Sequence, residues 1–387
     1  MKIAVLSDLH AAPTNKDNRV SWLCGDTPRR PAKGHPVTSL AEFIREHGLT
    51  ADYVLVPGDI SDKCNRPGFP IAWDAIHEVA RHLNARRVTA TTGNHDIDSR
   101  QLHGKHPFEV VKSMLGDSYP FEGPAQQSFW SHHFALLHED PLVLLVINSA
   151  ASHTNIEDAK RGAIDESTLE RLESELQEFD KSNSNPNDLR VALCHHHPHQ
   201  HSGIGLPDSE LMKYGDHLLA ILEAHSFGLV VHGHKHHPSL EFAAGGANSP
   251  AVFAAGSFSA TMSSDLSTTS RNLFHILSIN LFRGQLCGTI NSWQFHFLRG
   301  WTPSHENAAD FPARSGFGYR GSLEQLAARV CATLDTYPTG WDDLVSRIPE
   351  VQYLTPRDFV SVERALNVLG AEIYRNRDGL PMALAKV

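Results

Sequence analysis

Five short stretches of the 387-residue chain hold most of the side chains that could do chemistry together. They read Asp8-Leu9-His10, Gly58-Asp59, Gly93-Asn94-His95-Asp96, His195-His196-His197-Pro198 and Gly233-His234-Lys235-His236. Alternate residues on extended backbone project to one side, so a Gly-His-x-His can grip one ion or two adjacent ones. Each stretch alone is a weak signal, because Asp-x-His and Gly-Asp are common in capped turns. Together they offer three carboxylate or carboxamide groups and at least four imidazoles, with no thiolate. That donor set suits Mn, Fe, Zn, Co or Mg and argues against a cysteine-bound structural zinc. Seven donors exceed what one ion usually takes from a protein. Two ions roughly 3.5–4 Å apart, sharing one carboxylate, would use them all, and such a pair is a device for hydrolysing phosphate esters. The 26 histidines, not far below the 34 Lys and Arg, point toward metal chemistry as well.

The elements that must position these donors are legible as short apolar runs. Strands are predicted at Lys2–Leu6, Tyr53–Val56, Arg87–Thr91, Leu142–Ile147, Leu189–Leu193, Leu229–His232 and Val252–Ala255. Helix-like segments, among them Ser39–His47, Ile71–Asn84, Asp165–Phe179 and Ser209–His225, fall between several of them. Continuous buried strands alternating with helices read as an α/β fold with a largely parallel sheet core. Each of the first six strands is followed within two or three residues by Asp, His or Asn, and open α/β sheets bind ligands beyond the carboxyl ends of their strands. The polar segments Thr14–Pro36 and Asp98–Gln127 read as loops flanking the site. Leu273–Ile279, Cys287–Ile290 and Ser292–Leu298 read as strands that finish the sheet. Beyond residue 300 the texture changes: Leu323–Leu334 and Pro356–Leu369 look helical, and Tyr374–Lys386 could form a hairpin. This divides the chain into a catalytic domain, 1–300, and an accessory region, 301–387, serving as a cap or a winged-helix-like docking module for a protein partner.

Composition excludes several alternatives. With 44 Asp and Glu the net charge is −10, which disfavours sequence-independent binding to duplex DNA. No apolar run approaches the ~20 residues of a membrane-spanning helix, and the N-terminal run is too short for a signal-peptide core. The five scattered cysteines, with no Cys-x-x-Cys, suit reduced thiols and a cytoplasmic location. Cys194 precedes His195, but sequence adjacency does not supply the geometry of an activated thiol, and a buried bystander is expected. Arg29, Arg30 and Arg161 are candidates for a substrate phosphate, with exposed salt-bridging the commoner fate of such residues.

The order Asp-x-His, Gly-Asp, Gly-Asn-His-Asp, His, Gly-His-x-His resembles the calcineurin-like metallophosphoesterase superfamily over roughly residues 1–260. The resemblance implies a four-layer α-β-β-α sandwich with a dimetal centre at the strand ends, followed here by an added, mainly helical C-terminal region. It assigns Asp8, His10 and His236 to one divalent ion and Asn94, His196 and His234 to the second, with Asp59 bridging and Mn or Fe favoured. His196 is chosen as the His two places before Pro198, with His195 the alternative. His95 would protonate the leaving alkoxide, Asp96 would orient its imidazole, and a metal-bridging hydroxide would attack phosphorus.

Among subclasses, the Ser/Thr protein phosphatases carry an Arg where this chain has Lys63, which disfavours them. Ser7-Asp8-Leu9-His10, Gly58-Asp59-Ile60-Ser61-Asp62 and the His-His-Pro block are more similar to bacterial cyclic-nucleotide and glycerophosphodiester phosphodiesterases. The expectation is therefore a phosphodiesterase on a small or nucleotide substrate. A nuclease of the double-strand-break-repair type ranks second, and a phosphomonoesterase is less favoured.

Overall fold

The computed structural model describes residues 1–14, 20–104, 106–153, 160–183, 185–200, 205–262, 271–304, 311–335 and 337–387. Residues 15–19 and 105 of the two expected loops lie outside the described residues. Following the chain, β1 (Lys2–Val5) crosses through α1 (Pro36–His47) to β2 (Tyr53–Val56), and α2 (Gly68–His82) leads to β3 (Arg87–Ala90). The segment expected to be a second loop holds α3 (Glu109–Leu115) and begins α4 (Ala125–His132). A second sheet follows: β4 (Phe134–Glu139), β5 (Leu142–Ile147), α5 (Glu166–Ser182), β6 (Leu189–Leu193), α6 (Gly215–Ala224), β7 (Leu229–His232), β8 (Ser239–Phe242) and β9 (Ala251–Ala254). The chain then returns to the first sheet as β10 (Leu273–Phe282), β11 (Gln285–His296), β12 (Gly300–Pro303) and β13 (Arg314–Phe317).

The central strands are mostly apolar because both of their faces are covered. In β1 and β2, Ala4, Val54 and Val56 pack on one side with the apolar faces of α1 and α2, while Ile3, Val5, Tyr53 and Leu55 point the other way. There they meet Leu142, Leu144, Val146, Val191 and Val231 of the second sheet. The far side of that sheet packs Val143, Leu145 and Ala192 on Leu169, Leu172 and Leu176 of α5 and on Leu218 and Leu222 of α6. The result is the four-layer α-β-β-α sandwich. Its sheets run β12-β11-β10-β1-β2-β3, with β13 also on β11, and β4-β5-β6-β7-β9-β8. Pairing is parallel at β1–β2–β3 and β5–β6–β7–β9; helices make these crossovers except between β7 and β9, where the chain passes through β8. It is antiparallel elsewhere, so the sheets are mixed rather than largely parallel.

Two expectations change at the C-terminal side. Cys287–Ile290 and Ser292–Leu298 are one strand, β11, because β10 pairs with it without a break from Phe282↔Gln285 to Leu273↔Gln294. The sandwich also continues past residue 300: β12 and β13 both pair with β11, and Phe311 and Phe317 are buried between the sheets. Beyond Gly318, α7 (Leu323–Ala332), β14 (Thr339–Gly340), α8 (Trp341–Arg347), α9 (Pro356–Val368), β15 (Ala371–Arg375) and β16 (Pro381–Lys386) enclose a separate core that includes Leu326, Val330, Leu344, Leu366 and Leu384. We therefore propose a division near residues 318–322 in place of 300. The junction is tight: Gly316 and Tyr319 donate backbone hydrogen bonds to Leu354 and Tyr353, and the buried carboxylate of Glu350 meets Arg283 of the β10–β11 turn and Arg329 of α7.

Candidate metal centre

The polar ends of β1, β2, β3, β6 and β7 converge. Asp8, His10, Asp59, His234 and His236 all have left-handed backbone, with φ of 52°, 49°, 52°, 86° and 56°. That conformation is uncommon for side chains with a Cβ, and it turns each donor back toward one point. The approach of the loops demands glycine at Gly93, where a Cβ would run into the carboxylate and backbone nitrogen of Asp59, and at Gly233, where it would run into Asp8.

Two donor sets result. In the first, His10 Nε2 and His236 Nε2 stand 2.9 Å apart, with Asp8 Oδ1 3.4 Å from His236 and 3.8 Å from His10. In the second, Asn94 Oδ1 is 3.0 Å from both His195 Nε2 and His234 Nδ1. Asp59 belongs to both: its Oδ2 lies 3.6 Å from His10 Nε2 and 3.4 Å from His195 Nε2, while its Oδ1 accepts the His95 backbone N–H at 2.7 Å. Donors held at about 2.1 Å around one cation stand about 3.0–3.4 Å apart, so both sets have the spacing of a coordination shell. The outer atoms fit as well. His195 Nδ1 donates to the Pro57 carbonyl at 2.7 Å and His234 Nε2 to that of Lys160 at 3.0 Å, which leaves the inward nitrogens with lone pairs.

The electrostatics follow from burial of many charges in one place. Burial opposes ionisation of Asp8 and Asp59, but hydrogen bonds from His10 and His236 to the first, and the charges of His195 and His95 on the second, hold both carboxyls well below their ordinary range. Against the same desolvation, hydrogen bonds to Asp62 and Asp8 push His10 up to about 10, and the charge of Asp59 takes His195 to about 9. His234 and His196, with no carboxylate to outweigh burial, are driven well below the usual imidazole value.

The structure places the two histidines that the sequence left as alternatives differently: His195 Nε2 faces Asp59 and Asn94, whereas the His196 ring packs beside that of His234. Ser149 Oγ accepts the backbone N–H groups of both His195 and His196 and lies 2.8 Å from His196 Nδ1, so its hydroxyl hydrogen is left for that nitrogen. His196 Nε2 is buried without a hydrogen-bond partner among the described residues, close to His234, and His195, His196 and His234 lie near enough together to hold one ion.

Asp96 also departs from expectation, since it does not orient His95. Its Oδ1 accepts the N–H groups of Ile60 and Ser61 and its Oδ2 that of Gly93, stitching the β2 and β3 loops together. Burial, with the neighbouring charge of Asp59, raises its carboxyl to about 7. The carboxylate beside His95 is Asp62, 3.1 Å from Nδ1, a nitrogen that the Lys63 backbone N–H also approaches at 3.2 Å, and Asp62 Oδ1 lies 3.8 Å from His10 Nδ1. The signal was present three residues beyond Asp59 in Gly-Asp-Ile-Ser-Asp. Burial lowers the His95 pKa, while bonds to His10 and His95 hold Asp62 low against its own desolvation.

A cavity of about 570 Å³ opens over the donors. Lys63 and Lys235 line it, and Val20, Ala260 and Met262 form an apolar wall. Lys63 has no ion-pair partner among the described residues, whereas Lys235 is tied to Glu210 at 2.5 Å. Cys194 is buried with its thiol pushed up to about 12, as a bystander should be. Arg29 is spent on Glu78, both carboxylate oxygens lying 2.9 Å from Nη1.

The sequence pattern of the calcineurin-like phosphoesterase family matches residues 1–238, and a pattern described as wHTH-Calcineurin_assc matches residues 315–367. A search of curated proteins finds no match. Among solved structures, the chain is similar to a purple acid phosphatase from yellow lupin (Lupinus luteus) seeds, at 12% identity and a TM-score of 0.47, covering 76% of this chain and 51% of that one. It is also similar to a predicted phosphoesterase from Streptococcus pneumoniae, at 12% identity and a TM-score of 0.29, covering 76% and 88%. A third is Vps29 complexed with zinc from Entamoeba histolytica, at 12% identity and a TM-score of 0.31, covering 76% and 92%. The match spans about half the length of the lupin phosphatase. No helix among the described residues is long and apolar enough to cross a membrane.

Proposed function

The chain belongs to the calcineurin-like phosphoesterase family, and from that premise we propose that it is a dimetal phosphodiesterase acting on a small or nucleotide substrate. The observation that carries the proposal is Asp59 Oδ2, one oxygen set between the imidazole nitrogens of His10 and His195. Asp8, His10, Asp59 and His236 would hold one divalent cation, and Asp59, Asn94, His195 and His234 the other. Bound there, two such cations supply charge neutralisation for the phosphate and a water of lowered pKa.

The chain's own residues do the rest. The His95 ring is partly open to the cavity, and it is placed to give a proton to the departing alkoxide. Asp62 at its Nδ1 fixes the ring and balances its charge. Burial lowers the His95 pKa, which makes the imidazolium a readier donor. Lys63 offers the one cavity cation not already paired among the described residues. So little fixed positive charge suits a monoanionic diester better than a dianionic monoester, and the apolar wall of Val20, Ala260 and Met262 suits the second ester arm. The test is hydrolysis of bis(p-nitrophenyl) phosphate beside p-nitrophenyl phosphate by Mn²⁺-loaded protein. Faster diester cleavage is expected, and a monoester preference would overturn the reading.

A nuclease is the second reading. It is favoured by the wHTH-Calcineurin_assc match and by the outward face of α9, where Arg357, Arg364 and Asn367 are exposed. Against it, residues 315–387 carry eight Lys and Arg and nine Asp and Glu, so the unit is not basic. Protection of labelled duplex or single-stranded DNA by the full chain decides between them.

A further inference from the structure

A second cavity, of about 620 Å³, lies beside the metal centre. Its wall is shared: Glu210, which lines it, is ion-paired to Lys235 of the metal cavity, and the carbonyl of Lys160, which also lines it, holds His234. Three cations line it, Lys160, Arg161 and Lys213. Its two carboxylates are engaged elsewhere: Glu210 with Lys235, and Asp165 in capping Thr168 N–H and accepting from Ser167.

Arg161 and Lys213 have no carboxylate partner among the described residues. They are nonetheless held side by side, since Lys213 N–H donates to the Gly162 carbonyl at 3.1 Å and Ala163 bridges to Lys213. Arg161 is anchored by Nε donating to the Leu211 carbonyl at 3.1 Å, so its terminal nitrogens remain available. Gly162 packs against the His196 ring so closely that a Cβ would collide with it, which fixes this loop beside His196, the neighbour of His195 and His234. Two cations on adjacent backbone segments, with no carboxylate partner among the described residues, make the site attractive to an anion. The cavity also reaches Tyr214, ahead of α6, whose first turn receives no side-chain cap.

We propose that this cavity binds a second phosphate group of the substrate, so that the preferred substrate is a phosphodiester carrying a further phosphoryl group one unit away from the scissile one. The inference rests on the phosphodiesterase reading for its orientation, and its test separates the two. The matched probes are the dinucleotides TpT, pTpT and TpTp, which share one scissile diester and differ only in a terminal phosphate. On the Mn²⁺-loaded full chain, one of the phosphorylated forms should have a kcat/KM at least about tenfold above that of TpT, carried by a lower KM. Calorimetry with thymidine 5′-monophosphate and thymidine 3′,5′-bisphosphate should show the same preference in binding, with no turnover needed. In Arg161→Gln/Lys213→Gln both ratios should fall toward one, and Lys213→Glu alone should do the same if the double variant fails to fold. Equal constants for TpT, pTpT and TpTp, or a preference that survives in the variants, would overturn the proposal. Absence of any diester turnover with the binding preference intact would sink the phosphodiesterase reading and leave the second anion site standing.

Discussion

The two donor sets that share Asp59 have the same spacing and different charge. The set beside β1 contains the Asp8 carboxylate, with Asp62 behind His10. The set reached from β3, β6 and β7 has no carboxylate of its own, only an amide and two imidazoles backed by the Pro57 and Lys160 carbonyls. A full negative charge attracts a divalent cation more strongly than carbonyl dipoles do, most of all in a buried site. On the dimetal reading, one fold would build a tight position and a looser one from loops of similar geometry. Stepwise loading should show it, with the first equivalent of Mn²⁺ binding more tightly than the second.

The largest expected effect breaks both sets at once. Asp59→Asn should take bis(p-nitrophenyl) phosphate hydrolysis below detection and weaken both binding steps; a variant that kept both ions and full turnover would remove the shared ligand from the account. His95→Ala should leave both ions bound and slow turnover by roughly 10²–10⁴-fold, measured with a poor leaving group. Next comes the choice within the His block. His195→Ala should lose the second binding step alone. His196→Ala should keep both steps and cost about 2 kcal/mol of stability in denaturant unfolding. The reverse pattern would restore His196 as the ligand. Asp62→Asn should reduce kcat by about 10–100-fold with little change in KM, since it acts through His95.

What could be read in advance follows from physics at each place. The cores of both sheets were legible because β1, β2, β5, β6 and β7 are apolar on both faces, so composition alone marks them. β4 and β8 were not, because each is a partly exposed strand at the sheet margin with polar residues mixed in. β13, Arg-Ser-Gly-Phe, has almost no strand propensity and exists because β11 offers it an edge. At the site, Asp8, His10, Asp59, Asn94, His234 and His236 came together as their motif implied. His195 against His196 depends on where a strand end points, and the contact of Ser149, distant in sequence, with His196 was not legible there. Three backbone N–H groups converge on Asp96, and Asp62, not Asp96, lies beside His95.

The smallest effect uses a histidine outside both sets. His275 is buried on β10 between Ser292 and the Ala255 carbonyl, and burial lowers its pKa to about 4. The folded value lies below the unfolded one, so neutral His275 contributes its stability above about pH 6.5 and loses it as pH falls toward 4. The loss should approach about 3 kcal/mol. His275→Gln should flatten that part of the stability–pH curve, and an unchanged slope would show that the imidazole is already protonated in the fold.

The central claim is that two cations share Asp59, and electron paramagnetic resonance of the protein loaded with two equivalents of Mn²⁺ reads it directly. Exchange through a common ligand should give the closely spaced multiline spectrum of a coupled pair, and Asp59→Asn should lose it. A simple six-line spectrum at two equivalents in the unaltered protein, with both ions bound, would mean that the sites do not share a ligand and would contradict the account.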